Sequence, residues 1–237
     1  MKRSAPVSQI RAVRPRGRSG LTLIEVMIAS AIMVIMMGLA WRTISNTSTA
    51  KKTFEKYEER NHELRMAVGR IVADFQHAYL SKNEDGLASH PRTMFVAKSG
   101  RFPDIRFSTM GHRVLWADAN ESEQTVIQYM TRNNPKTPGA TDLVRREQRR
   151  HSNEPPDDLA SEYDVLLTDV QELKLEYWNW KNVEWQDTWD STQSDGQKGM
   201  LPSRVRITVT TKDPGGNEYK LSTQARIVMQ EALSFVQ

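Results

Sequence analysis

The most informative absences are cysteine and the short motifs of catalysis. The chain of 237 residues has no cysteine, so it can form neither a disulfide nor a thiolate nucleophile. It also lacks the serine-hydrolase elbow, the zinc-protease helix motif, the phosphate loop and the glycine pattern of dinucleotide sites. Its histidines are scattered, and His62 and His77 stand 15 residues apart, which is not a metal-binding spacing. We therefore expect a protein that is not an enzyme.

Acidic residues are missing from the first 20 positions. This segment carries six basic residues, at positions 2, 3, 11, 14, 16 and 18. Without them, 27 basic residues face 29 acidic ones, a net charge of −2. The basic character of the chain therefore belongs to its N-terminus, and a nucleic-acid partner is not expected.

Charge is almost absent from residues 21–41, where Glu25 is the one ionisable side chain. As a helix this run would span roughly 32 Å, enough to cross the hydrocarbon core of a bilayer. The basic residues before it favour a cytoplasmic N-terminus by the positive-inside rule. The sequence predicts a single-pass inner-membrane anchor with most of the chain on the periplasmic side.

The small residue that could mark a cleavage site, Gly20, precedes the apolar run instead of following it. The stretch RSGLTLIEVMIASAI, from residue 18 to 32, resembles the cleavage and methylation motif of type IV prepilins and type II secretion pseudopilins. The resemblance implies that a prepilin peptidase cuts after Gly20 and methylates Leu21. Leu21 departs from the phenylalanine usual at that position.

The same resemblance gives Glu25 a role in assembly. A carboxylate in hydrocarbon is costly and is expected to have a partner. Cleavage would create a free amine at Leu21, and Glu25 would pair with that amine of a neighbouring subunit. One such pair can fix the register of helices that otherwise slide on each other.

Beyond the apolar run, apolar residues recur at helical spacing. The stripe expected to face partner helices consists of Phe54, Tyr57, Leu64, Val68, Ile71 and Phe75. The spacing predicts one helix from about residue 21 to 80, with 21–41 in the membrane and 42–82 as its amphipathic continuation. The second half would pack partly on its own domain and partly on partner helices, and a dimeric coiled coil would give the same stripe.

After residue 90 the period changes to two. Alternating segments at 104–109, 113–117, 125–132, 142–149, 170–180, 183–189, 204–211 and 218–229 predict seven to nine antiparallel strands joined by polar turns. The expected fold class is α+β. A long N-terminal helix, transmembrane in its first half, packs on one face of an antiparallel β-sheet domain at 90–230, as in pilins.

The order of motifs in this region resembles the minor pseudopilin J of type II secretion systems (GspJ). It is carried by the residues of an L-x-R-x-E strand, of a D-V-x-x-L-x-L-x-Y strand followed by a tryptophan, and of a final LP-x-x-V-x-I segment: Leu143, Arg145, Glu147, Asp169, Val170, Leu173, Leu175, Tyr177, Trp185, Leu201, Pro202, Val205 and Ile207.

The resemblance implies a structural role without a cofactor. Protein J sits with the I- and K-type minor subunits at the tip of a short periplasmic pseudopilus. That fibre moves folded exoproteins across the outer membrane. The implied partners are these subunits, the major pseudopilin, the prepilin peptidase and the inner-membrane assembly platform. A minor type IV pilin of the W type, and a membrane-anchored enzyme or binding module with an uncleaved helix, remain alternatives.

Two clusters of residues, one of aspartates and one of tryptophans, are candidates for a binding site. Asp187, Asp190 and Asp195 could hold calcium, although their spacing does not match the calcium-loop pattern. Four of the six tryptophans, at 178, 180, 185 and 189, fall within 12 residues. Trp178 and Trp180 are expected on one strand face, where they either pack internally or form a protein-binding surface.

Overall fold

The computed structural model describes residues 20–82, 93–114, 116, 121–149, 163–194 and 196–234. It begins with one long helix, α1 (Leu23–Gln76). Contacts divide the chain into two compact units, one ending at Thr53 and one starting at Phe54. In the first unit, every described residue from 20 to 53 is exposed.

Local hydrogen bonds explain why α1 starts and continues where it does. Thr22 caps the helix, since its Oγ1 accepts the backbone N–H of Glu25 at 3.4 Å. The Ser/Thr-rich segment after residue 42 does not interrupt it. There, hydroxyls such as that of Thr47 donate to the carbonyl four residues earlier. The helix ends in tighter bonds, with Ala78 N–H donating to the carbonyl of Phe75.

Ten antiparallel strands follow among the described residues. They are β1 (Phe95–Ala97), β2 (Ile105–Thr109), β3 (Thr125–Asn133), β4 (Thr141–Gln148), β5 (Tyr163–Leu167), β6 (Val170–Asn179), β7 (Glu184–Gln186), β8 (Trp189–Asp190), β9 (Arg204–Lys212) and β10 (Glu218–Arg226). They form two sheets, one of six strands in the order β5-β4-β3-β2-β1-β8 and one of four in the order β10-β9-β6-β7.

In the described part of the chain, one hydrophobic core takes side chains from the second part of α1 and from both sheets. Phe75 of α1 stacks on Phe107 of β2, with ring centroids 4.9 Å apart. Phe95 of β1 meets the edge of Tyr177 of β6 at 5.8 Å. Such aromatic pairs add to the free energy of burial. The fold is therefore α+β, with a pilin-like arrangement of a long N-terminal helix and antiparallel sheet.

The structure corrects three details of the predicted strands. The described residues form ten strands in two sheets, rather than the seven to nine strands predicted. No strand includes Arg113, Val114 or Trp116, and Trp116 is 75% exposed. The predicted strand at 183–189 divides into β7 and β8, which belong to different sheets. Alternation alone could not signal that division because both pieces are so short.

Candidate functional site

The predicted processing and assembly residues lie at the start of α1. Gly20 and Leu21 are exposed and precede the helix, and Glu25 lies in its first turn with its side chain exposed. A carboxylate in the first turn is favoured by the positive end of the helix dipole. The geometry leaves Glu25 accessible to another chain, and its predicted pairing with a neighbour's Leu21 stays a prediction.

The part of α1 that follows Glu25, up to Trp41, is apolar on all sides. Within the described residues, one helix is long and apolar enough to cross a membrane. Its large side chains are exposed, as with Leu23 at 80% and Trp41 at 73%. A helix that is hydrophobic all round is stable in a bilayer or among other apolar helices. This character fits a membrane anchor.

The predicted partner stripe divides into a buried and an accessible part. Four of its six members, Leu64, Val68, Ile71 and Phe75, are buried in the core of their own domain. The stripe is expected to pack partly on its own domain and partly on partner helices, and these four side chains belong to the part that packs on the domain, so their assignment as partner-facing is corrected. Phe54 is 64% exposed and Tyr57 is half-buried. Any partner-facing part of the stripe is confined to these two.

A buried ion pair joins α1 to β4. Asp74, only 5% exposed, accepts a hydrogen bond from Arg145 Nε at 2.7 Å and another from the hydroxyl of Tyr129 at 2.5 Å. Burial opposes the charge of Arg145, but its bonds to Asp74 and Glu147 outweigh burial and raise the pKa of the guanidinium. Burial, followed by the charge of Asp74, raises the pKa of Tyr129 well above its usual value.

The network continues through Glu147 to a histidine held between two carboxylates. Glu147 accepts Arg145 Nη1 at 2.9 Å and contacts His112 Nδ1 at 3.1 Å. The other ring nitrogen, Nε2, lies 3.0 Å from Glu121. Burial works against the charge of Glu147, but Arg145 outweighs it and lowers the pKa of this carboxyl, while the bond from His112 lowers the pKa of Glu121.

Arg60 makes a second link between α1 and the sheets. Its guanidinium donates to the carbonyl of Thr168 at 2.8 Å and to that of Asp169 at 3.3 Å, in the connection between β5 and β6. It also bonds the hydroxyl of Thr211 on β9. Asp169 has a φ of 45°, an uncommon conformation for a residue other than glycine. One side chain thus fixes the helix to the point where the chain passes between sheets.

The tryptophan cluster does not lie on one face. Trp178 of β6 and Trp185 of β7 are direct cross-strand partners with ring centroids 5.2 Å apart. Trp180 comes after the end of β6, packs against the core and donates Nε1 to the carbonyl of Leu201 at 3.3 Å. Trp189 is buried. The prediction that Trp178 and Trp180 share a face is wrong, because the strand ends at Asn179 and the turn redirects the chain.

The three aspartates considered for calcium are not brought together among the described residues. Asp187 is exposed, and Asp195 lies outside the described residues. Asp190 Oδ1 accepts the backbone N–H and the hydroxyl of Thr192 at 2.8 and 2.6 Å. In the described part of the chain there is no group of three or more potential metal ligands. Calcium binding stays a prediction.

Comparison with known proteins assigns the chain to a family. A family model described as type II secretion system (T2SS), protein J, matches residues 42–219. The chain belongs to this protein J family. A second model, the prokaryotic N-terminal methylation motif, matches residues 15–41. Together they identify a membrane-anchored minor pseudopilin of the GspJ type, and no curated protein sequence matches at a significant level.

One solved structure with a similar chain is the GspK–GspI–GspJ complex of the type 2 secretion system of enterotoxigenic Escherichia coli. Identity is 14%, the TM-score is 0.46, and the match covers 70% of this protein J chain and 97% of the other.

Sequence reasoning missed most of the buried network. Arg145 and Glu147 enter the sequence prediction only as parts of the L-x-R-x-E pattern, and His112 only as one of the scattered histidines. Asp74 and Glu121 carry no sequence prediction. A signal exists for Asp74, which stands on the buried side of the helix between Ile71 and Phe75. A charge at such a position requires a buried partner. No comparable signal in the sequence points to His112.

Proposed function

We propose that this protein J family member is part of the tip complex that initiates and caps the type II secretion pseudopilus. The observation that carries the proposal is the order of the two family matches, a methylation motif at 15–41 followed directly by protein J at 42–219. The exposed apolar helix supports it, because such a surface requires membrane or neighbouring helices. Its proposed partners are the I- and K-type minor subunits and the major pseudopilin.

Maturation in this proposal begins at residue 20. The prepilin peptidase removes the leader, 1–20, and methylates Leu21 before the assembly platform takes up the subunit. Residues 21–41 cross the inner membrane and 42–82 continue the helix, with the domain at 90–230 in the periplasm. The Glu25 carboxylate then pairs with the Leu21 amine of the next subunit. The exposed position of Glu25 in the first turn supports this pairing.

The decisive experiment is a clean deletion in the native host, complemented in trans. Exoprotein activity is measured in the culture supernatant and in the periplasm. We expect exoproteins to accumulate in the periplasm while surface pili remain normal. Normal secretion together with lost pili, twitching or DNA uptake would instead identify a minor type IV pilin of the W type.

Two variants test the assembly residues within the same strain. Gly20→Val should block maturation, so mass spectrometry should detect an intact leader and no methylated Leu21. Glu25→Ala should be processed normally yet fail to restore secretion, because the register pair is lost. Glu59→Ala is the matched control, since Glu59 is an exposed acid on the same helix. Full secretion by the Glu25 variant would refute its role.

A further inference from the structure

The outer face of the four-stranded sheet carries a row of four residues, one from each strand. Trp185 of β7 is the cross-strand partner of Trp178 on β6. Trp178 is paired with Arg204 on β9, and Arg204 with Arg226 on β10. Neighbouring strands lie about 4.8 Å apart, so the row extends for roughly 14 Å. We refer to these four residues as the Trp–Arg row.

The row points away from the core. The residues that precede or follow its members along the strands, such as Tyr177, Val205 and Ala225, are fully buried. Since side chains alternate along a strand, the row lies on the opposite face. Arg204 and Arg226 are exposed and the two tryptophans are half-buried. All four are therefore accessible in the isolated chain.

The two arginines form an unfavourable pair in this chain. Like charges directly opposite each other on antiparallel strands are destabilising. Within the described residues, neither guanidinium has a hydrogen-bond or ion-pair partner. The neighbouring Arg206 differs, since it bonds Glu176 at 3.1 Å and stacks over Trp185 at 4.0 Å. Glu176 is also bonded by Lys174 at 3.2 Å, so this acid on the same face already has two cationic partners.

The charge and the hydrogen-bonding groups of the two arginines indicate which ligand would remove the repulsion between them. Guanidinium groups bind carboxylates through paired hydrogen bonds, and tryptophan and arginine dominate the binding energy of protein interfaces. Apart from its first 20 residues the chain carries a net charge of −2. The cations of the row are therefore not part of a chain-wide basic surface, although Lys174, Arg206 and Lys220 share the outer face of this sheet.

We propose that the Trp–Arg row is a docking surface for a partner protein that presents an acidic, extended segment. Two carboxylates of that segment would bind Arg204 and Arg226. An apolar or aromatic side chain of the same segment would pack on Trp178 and Trp185. This inference goes beyond the proposed role in the tip complex, because it assigns a partner-binding surface to the outer face of the sheet formed by β6, β7, β9 and β10.

The test uses the full chain in detergent micelles and a labelled peptide of alternating glutamate and threonine ending in phenylalanine. Binding is followed by fluorescence anisotropy at low salt. The double variant Arg204→Thr/Arg226→Thr should raise the Kd at least tenfold, equivalent to about 1.4 kcal/mol. The control, Lys98→Thr/Lys136→Thr, removes the same charge from two other exposed positions and should change the Kd less than twofold.

Further arms separate the proposal from its rivals. Replacing glutamate by glutamine in the peptide should abolish binding. Arg204→Lys/Arg226→Lys, which keeps the charge and loses the planar fork, should weaken binding at least threefold and stands in if the threonine variant does not fold. Equal loss in both threonine variants, no loss in either, or equally tight binding of inorganic polyphosphate at the same arginines would overturn the proposal. Equal loss in both threonine variants would mean that binding depends on nonspecific charge attraction. Equally tight binding of polyphosphate would mean that the two arginines form a general anion site.

Discussion

Asp74 is the residue on which the buried network depends. It binds Arg145 and Tyr129 in the core, and Arg70 contacts its other oxygen at 3.3 Å. Asp74→Ala would leave the buried Arg145 charge without its main partner, and we expect the free energy of unfolding to fall by roughly 3 to 5 kcal/mol. Chemical unfolding of the full chain in micelles measures this. Glu59→Ala, an exposed acid on the same helix, should change it by less than about 0.5 kcal/mol.

Glu147 sets the pH range in which the network stabilises the fold. Its pKa is lowered in the folded protein, so its contribution is fully present above the pKa of the unfolded chain. That contribution is lost as the pH falls through the folded value. We expect unfolding free energy to decrease below about pH 4.3, the usual pKa of glutamate. Glu147→Gln should flatten this part of the pH profile, and an unchanged profile would contradict the assignment.

At the scale of elements, Arg60 determines how α1 is held against the two sheets. Arg60→Lys keeps the charge but loses the fork that reaches the carbonyls of Thr168 and Asp169. We expect a loss of roughly 1 to 3 kcal/mol in unfolding free energy, with faster hydrogen exchange in β5 and β6. Arg65→Lys is the control on the same helix, since its side chain is 65% exposed. Equal effects of both changes would show that Arg60 acts only through charge.

The lengths of the secondary-structure elements explain which of them the sequence predicts. The helical stripe and the long strands β3, β4, β6, β9 and β10 are predictable because each spans enough residues to reveal its period, whereas β5, with five residues, is not predicted. β1 has three residues and β8 has two, too few for any pattern. The candidate sites also differ in whether the sequence predicts them. Gly20 and Glu25 belong to a local motif, whereas the His112 clamp joins residues 9 and 35 positions away.

At the scale of the whole molecule, the division into two sheets was not predictable. β5 and β6 are separated only by Thr168 and Asp169, yet they belong to different sheets. The positive φ of Asp169 and the contacts of Arg60 make that change of direction. Both depend on tertiary contacts that the sequence does not display. The α+β class followed from periodicity alone, because that depends only on the order of the elements.

The orientation of the whole chain in the membrane can be tested directly because it contains no cysteine. The basic residues before the apolar run predict a cytoplasmic N-terminus and a periplasmic domain. Thr137→Cys, at an exposed position after β3, should react with a membrane-impermeant maleimide in spheroplasts.

The matched variant for the other side is Ser4→Cys in a host that lacks the prepilin peptidase, where the leader is retained. Its cysteine should react only after the inner membrane is permeabilised. The ratio of labelling before and after permeabilisation should therefore be near one for Thr137→Cys and near zero for Ser4→Cys. The reverse pattern would place the domain in the cytoplasm, where it could not meet a periplasmic fibre, and the proposed tip role would fail with it.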